Sequence, residues 1–280
     1  MLPKDTNTSN GRRYAILTEY DGTPFSGWQI QDNAPSVQQC LQDAWHKLTG
    51  ETVTLTGGSR TDAGVSASHH VSSFQSRTSI PVERIALAWN SVLPDAIAVH
   101  DTREVRSAFN PRYDALGKTY RYTIVTGSVR PVLARHFAAF VPGTLGVNAM
   151  RQACLLLAGT HDFTSFMDQG SPTTRPVRTL HELGVAEEDD RLVFTFMGDG
   201  FLYHMVRILA GTLVSVGQGK IDPKEIETIF ESRDRTLAGP TMPPEGLLLE
   251  RVFFADHLFG DDRWAYQDPR RADKIAHLRP

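Results

Sequence analysis

The order in which hydrophobic periodicity changes along this chain is its strongest constraint. Side chains alternate faces along a strand and recur every three to four residues along a helix, so the period of a segment indicates its element. Tyr14 to Tyr20 is rich in β-formers and closes on Asp21-Gly22, a turn signal. Val37, Cys40, Leu41, Ala44 and Leu48 then recur at helical spacing behind Ser36, a capping residue with Gln39 three positions on. Val53 to Thr56 reads as a short strand running into Gly57-Gly58, and Ala67 to Phe74 as a longer one. Pro81, favourable at a first helical position, opens a second helix carrying Ile85, Leu87 and Trp89, which Pro94 ends. Ile97 to Val105 reads as a further strand.

Strand, helix, strand, strand, helix, strand is the ferredoxin-like order. The second half repeats it approximately. Lys118 to Thr126 alternates as a strand, and Arg135 to Val141 is a candidate for another. Val147 to Leu157 is helical, with Val147, Met150, Cys154 and Leu157 on one side. Arg178 to Ala186 and Leu192 to Met197 read as a hairpin around Glu188-Asp189-Asp190. A helix follows Gly200 with a stripe of Leu202, Met205, Val206, Leu209, Leu213 and Val216. A short helix from Pro223 to Phe230 precedes a last strand, Leu247 to Phe254. The halves share little sequence identity, so a duplication rests on element order alone. The expected architecture is α+β: two ferredoxin-like, RRM-like βαββαβ halves form a largely antiparallel sheet, with helices on one face and a catalytic cleft between the halves. Residues 1–11 form a flexible N-terminus, 12–107 the first domain, 108–255 the second, and 256–280 a charged, aperiodic tail, mobile or draped on the surface.

With 40% apolar and 22% charged residues, the chain is ordinary for a globular protein. Its net charge of −3 argues against a nucleic-acid partner unless cations are concentrated in one cleft. Cys40 and Cys154 each fall inside an apolar helical pattern, which suits free thiols in a reducing compartment. The first eleven residues lack the apolar core of a signal peptide, and His204 and Arg207 interrupt the apolar run from Phe201 to Val216. A soluble, cytoplasmic protein with no membrane partner is expected.

The segment Gly57-Gly58-Ser59-Arg60-Thr61-Asp62-Ala63-Gly64-Val65 sets one arginine and one aspartate among three glycines. Glycine admits positive φ and lets a ligand approach the backbone. Between two strands, the loop would hold Arg60 and Asp62 at a sheet edge. It lacks the Gly-Lys-Ser/Thr ending of a phosphate-binding loop. On residue chemistry alone, Arg60 and Asp62 are either a turn-stabilising ion pair or the start of an active site.

This segment, following Tyr20-Asp21-Gly22, resembles the tRNA pseudouridine synthase A family. Further blocks occur in family order: Phe25-x-Gly27-Trp28-Gln29-x-Gln31, Phe109-Asn110-Pro111-Arg112-Tyr113-Asp114-Ala115, Lys118-x-Tyr120-x-Tyr122, Gly159-x-His161-Asp162-Phe163-x-Ser165-Phe166, Phe201-Leu202-x-His204-Met205-Val206-Arg207 and Gly246-Leu247-x-Leu249. The resemblance covers Tyr14 to Phe254. It departs at Ser66-Ala67 and Asn110-Pro111, positions that bear on local RNA contacts. It implies isomerisation of uridine to pseudouridine at positions 38 to 40 of the tRNA anticodon stem-loop, by a homodimer.

That reaction breaks the N-glycosidic bond, turns the base and rejoins it through C5, with no oxidation or hydrolysis, so no cofactor or metal is expected. The resemblance assigns the catalytic carboxylate to Asp62, as nucleophile or as base on the sugar. Arg207, on the same helix face as His204 and Gly211, is the candidate partner, since a nearby arginine favours an ionised carboxylate; the alternative is a solvated helix arginine. Arg60 would occupy the space that the flipped base vacates or hold the RNA backbone. Tyr120 offers a stacking surface, Leu247 an apolar wall and Arg112 a substrate contact. Tyr122 reads equally as a core residue. Arg103, Arg106, Arg112, Lys118, Arg121, Arg175 and Arg178 are candidates for a basic cleft, or else scattered surface charges.

His69 and His70, adjacent on a strand, point to opposite faces and cannot share a metal. His161 and Asp162 read as structural, closing a helix end or a loop. Two other functions compete. A non-catalytic RNA-binding protein with two RRM-like units would share the fold, but the aromatic RRM signature is missing. A nucleoside hydrolase would need a second acid, Asp162 or Asp199, brought in by folding.

Overall fold

A computed structural model describes residues 11–168, 170, 173–188, 190–255 and 258–259. Residues 1–10 of the expected flexible N-terminus, the Asp189 turn position and nearly all of the tail lie outside the described residues; Leu258 and Phe259 pack against the core. The first half comprises β1 (Arg12–Tyr20), α1 (Val37–Thr49), β2 (Thr56–Gly57), β3 (Ser66–Ser76), α2 (Val82–Asn90) and β4 (Ile97–Val105). The second comprises β5 (Gly117–Gly127), β6 (Ala139–Pro142), α3 (Val147–Leu157), β7 (Gly159–Asp162), β8 (Val177–Glu188), β9 (Arg191–Gly198), α4 (Met205–Gly217), α5 (Glu225–Ser232) and β10 (Leu247–Phe253).

All ten strands join one sheet in the order β4-β1-β3-β10-β5-β9-β8-β7, with β2 on β3 and β6 on β5. In the first half the strands stand fourth, first, third, second. The second half repeats that arrangement as β10-β5-β9-β8, with β6 and β7 added. The halves meet where β3 and β10 pair in parallel, Leu248 beside Ser66 and Leu249 beside Ala67. Most other pairings are antiparallel. Ala67 also faces Tyr20, and Leu249 faces Tyr120, so these four residues share one face across the seam.

The first core forms because α1 and α2 place Trp45 and Trp89 against Phe74 of β3, with ring centroids 5.1 Å from it in each case. The Trp89 indole N–H donates to Leu41 O at 3.0 Å, tying the two helices together. Ser36 caps α1 by accepting from Gln39 N, but the Gln39 side chain bonds Asp43 instead of reaching back, so half of the capping box forms. Leu87 is 63% exposed because residues two apart fall on different sides of a helix. β2 begins at Thr56, not Val53. Leu55 is nevertheless buried, its N–H bonded to the Gln42 side chain and its carbonyl to that of Gln38. Glutamines of α1 supply what a strand partner would, a substitution that periodicity does not register.

In the second half, Tyr122 and Tyr120 of β5 stand opposite Phe194 and Phe196 of β9. Helix α4 is buried almost all round and not along one stripe: Ile208, Ala210, Thr212 and Ser215 are enclosed as well. It has neighbours on several sides, since α3 packs on it and the chain around Pro240 lies against Gly211. β7 was not anticipated as a strand, and α4 starts later than the apolar run. No helix among the described residues is long and apolar enough to cross a membrane.

Gly211 has no room for a side chain, because an added Cβ would lie 1.8 Å from Pro240 O. Gly211→Ala is expected to lower unfolding stability by about 1–3 kcal/mol, read from the urea midpoint. An unchanged midpoint would show that the Pro240 segment yields freely.

Candidate active site

The loop between β2 and β3 is braced from three sides. Gly58 N donates to Val71 O at 2.8 Å and Trp28 N to Thr61 O at 3.1 Å, and the Tyr20 hydroxyl shares a 2.8 Å hydrogen bond with that of Thr61. His70 stacks on Trp28 with centroids 3.7 Å apart, and its Nε2 donates to Ser59 O at 2.9 Å. Burial pushes His70 down to about 3, so it makes this bond as a neutral imidazole. Gly22 and Gly27 have a steric role here. A Cβ on Gly22 would lie 2.1 Å from Val65 O, and one on Gly27, which stands at φ 96, would lie 2.6 Å from Thr61 O. The segment from Tyr20 to Trp28 is therefore the cradle of the Asp62 loop.

Asp62 meets α4 across the seam. Its Oδ2 accepts from Arg207 Nη1 at 3.0 Å and lies 3.3 Å from His204 Nε2. Arg207 is fixed in turn by Nε, which donates to Met242 O at 2.7 Å. The solvated-arginine alternative for Arg207 therefore fails, as does the local Arg60–Asp62 pair. Arg60 is exposed, and among the described residues no acid is within ion-pair distance of it. The loop also does not sit at a sheet edge: β3 is interior, between β1 and β10.

These residues line a cleft of about 1060 Å³, larger than most small-ligand pockets. Both halves contribute to it. Tyr120 and Leu247 form part of its wall, and Tyr120 packs edge-on against Phe201 at 5.1 Å. Burial, with the charge of Asp62 adding, pushes the Tyr120 phenol up to about 12, so it is un-ionised at neutral pH. Tyr122 takes the core alternative, fully buried with its hydroxyl donating to Pro243 O at 2.7 Å.

Arg60, Arg112, Lys118, Arg178 and Arg207 line the cleft, and Asp62 is the only carboxylate among its described lining residues. The basic lining is narrower than expected. Arg103 pairs with Asp101, Arg106 with Asp114, and Arg121 with Glu188 and Glu250; Arg175 does not line the cleft. A chain of net charge −3 thus presents a cationic cavity.

The profile of the tRNA pseudouridine synthase family matches residues 16–114 and 153–255. A protein from Clostridium kluyveri, "tRNA pseudouridine synthase A", is 44% identical over 239 residues, 85% of this chain and 98% of its own length. Relatives of the same name from a Thermoanaerobacter species and from Clostridium acetobutylicum are each 43% identical over 87% and 85% of this chain, and 100% and 98% of their own lengths. The chain belongs to the tRNA pseudouridine synthase family. It is accordingly an isomerase.

Periodicity and motif did not single out two contacts of this synthase. The sequence assigns His204 no role at the site beyond a helix face shared with Arg207, yet it touches Asp62. It stands at φ 59, a left-handed conformation costing on the order of 1–3 kcal/mol in a non-glycine residue, and Asp168 accepts from its Nδ1 at 2.8 Å. The three-residue spacing of His204 and Arg207 was the available signal; Asp168 had none. His161 and Asp162 are structural as expected. His161 Nε2 bonds Ala158 O at the end of α3, while Asp162 accepts from Thr164 and pairs with Arg233.

Among the described residues the Lys118 side chain makes no hydrogen bond or ion pair. Burial pushes it down to about 8, with Arg112 and Arg178 contributing. A lysine lowered in the fold loses its charge as pH rises through the lowered value, so the cleft carries one cation fewer at pH 9 than at pH 7. Binding of a short RNA, followed by fluorescence anisotropy, is expected to weaken over that interval and to lose about one unit of salt dependence. Lys118→Arg, which stays charged, should abolish the change. A wild-type curve flat across that interval would contradict the assignment.

Proposed function

We propose that this synthase isomerises uridine to pseudouridine at positions 38 to 40 of the tRNA anticodon stem-loop, with Asp62 as its catalytic carboxylate. The observation that carries this reading is the setting of Asp62: one carboxylate in a cleft otherwise lined by cations, anchored through a single oxygen to an arginine from the opposite half. In the reaction the C1′–N1 bond breaks, the base turns, a C1′–C5 bond forms, and a proton leaves C5 while N1 gains one. Atoms and oxidation state are conserved, and one positioned carboxylate can act on the sugar as nucleophile or base.

The target nucleotide must leave the helical stack to reach this depth. Tyr120 then offers its ring to the base, a contact worth roughly 1–3 kcal/mol, and Leu247 closes the apolar side. Arg60, exposed at the cleft, is suited to the vacated space in the RNA stem, and Arg112, Lys118 and Arg178 to backbone phosphates. The hydrolase reading lacks its second acid, since Asp162 and Asp199 are engaged by other groups and neither lines the cleft. A protein that only binds RNA gains nothing from a lone carboxylate in a cleft that must attract a polyanion.

The proposal extends to a cytoplasmic homodimer. Two free cysteines suit the compartment. The exposed apolar run of Val129, Val132, Leu133 and Phe137 is a surface that a second copy can cover.

Asp62→Ala and Asp62→Asn are expected to lose pseudouridine formation on unmodified tRNA by at least roughly 10²–10⁴-fold, while anisotropy shows the RNA still bound. Arg207→Lys should lose much of the rate, because an ammonium cannot reproduce the guanidinium's two directed bonds. Product at wild-type rate from Asp62→Ala would refute the catalytic assignment, and release of free uracil would favour hydrolysis.

A further inference from the structure

Asp62 is held from two directions, and the second is unassigned. Arg207 Nη1 and His204 Nε2 both approach Oδ2; among the described residues no hydrogen bond reaches Oδ1. A carboxylate turns easily about its last side-chain torsion, which is broad and two-fold. One contact on one oxygen leaves that rotation open, whereas a second residue on the same oxygen restricts it.

The imidazole is itself pinned. A carboxylate only accepts, so Nδ1 carries the hydrogen donated to Asp168 Oδ2 at 2.8 Å, and the same ring holds Asp62 Oδ2 through Nε2 only as the imidazolium, with a hydrogen on each nitrogen. Asp168 N also donates to Tyr203 O at 3.2 Å, so residue 168 grips residues 203 and 204 through backbone and side chain together. The Tyr203 ring stacks on the imidazole at 3.8 Å. The left-handed backbone at His204 precedes α4, and Ile208 N donates back to His204 O in the first turn. An unusual backbone conformation, a ring bonded at one nitrogen and a catalytic carboxylate at the other form a built arrangement.

We infer that His204, oriented by Asp168, is a positioning residue that restricts rotation of the Asp62 carboxylate and leaves Oδ1 as the oxygen that acts on substrate. The inference rests on the reading of Asp62 as the catalytic group. Misorienting a reacting group by about an ångström can cost on the order of 100-fold in rate without loss of binding.

The test uses the full-length protein, pseudouridine formation in a transcribed tRNA and anisotropy for RNA binding. His204→Gly suits the positive φ and removes only the ring; Asp168→Asn keeps the shape of its side chain. Each is expected to lower kcat roughly 10- to 100-fold with KM and RNA affinity within about twofold of wild type. The double variant should be no slower than His204→Gly alone if Asp168 reaches Asp62 through the ring. Added imidazole should restore part of the rate of His204→Gly and none of that of Asp62→Ala. An unchanged kcat in His204→Gly, fully additive losses in the double variant, or a change confined to KM would overturn the inference. If Asp62→Ala is inactive while both other variants run at full rate, this inference alone fails; if Asp62→Ala is active, the underlying reading of Asp62 fails with it.

Discussion

The contact between Asp62 and Arg207 spans 145 residues of chain and joins the two halves of the molecule at the cleft. For the two groups to meet, β3 and β10 must pair in parallel, α4 must be held at the right height, and the loop before β3 must be rigid. Each condition is visible in the packing. The seam has Leu249 against Ala67, α4 is wedged against the Pro240 segment at Gly211, and the loop is tied to β1 and to the Gly27-Trp28 turn. The pair is partly shielded, with side-chain exposures of 25% for Asp62 and 14% for Arg207. It matters as a geometric lock more than as a source of stability.

The lock has an electrostatic setting that whole-chain charge conceals. Arginines at several surface sites are neutralised by nearby acids, while Arg60, Arg112, Lys118 and Arg178 reach the cleft with no acidic partner among the described residues. A slightly acidic protein can therefore attract a polyanion to one place and repel it elsewhere. The cost is carried by Lys118, a half-buried lysine in the cleft whose charged form is disfavoured by desolvation and by Arg112 and Arg178. Such a group is relieved when an anion arrives, so an otherwise unfavourable cluster favours the bound state.

Much of the fold was legible because it depends on local chemistry. The period-two segments from Tyr14 and Ile97, the capped helix after Ser36 and the helix from Val147 all formed as expected. Misreadings had long-range causes. Leu55 is satisfied by glutamine side chains of α1, Leu87 lies on the wet side of α2, and α4 is enclosed on more faces than its stripe required. At the site, Asp62, Arg60, Tyr120 and Leu247 all line one cleft together with Arg207, but Asp62 takes its partners from α4 and not from Arg60.

By itself, the sequence determined which segments alternate, which recur at helical spacing, and which loop carries a lone acid among glycines, because these properties follow from neighbours within a few residues. The tertiary structure decided who stands beside that acid. Side chains at 204 and 207 are brought to residue 62, and that of 168 to 204, by the order of strands across a seam. No local period encodes such a meeting, since the free energy that fixes it is that of packing two halves together.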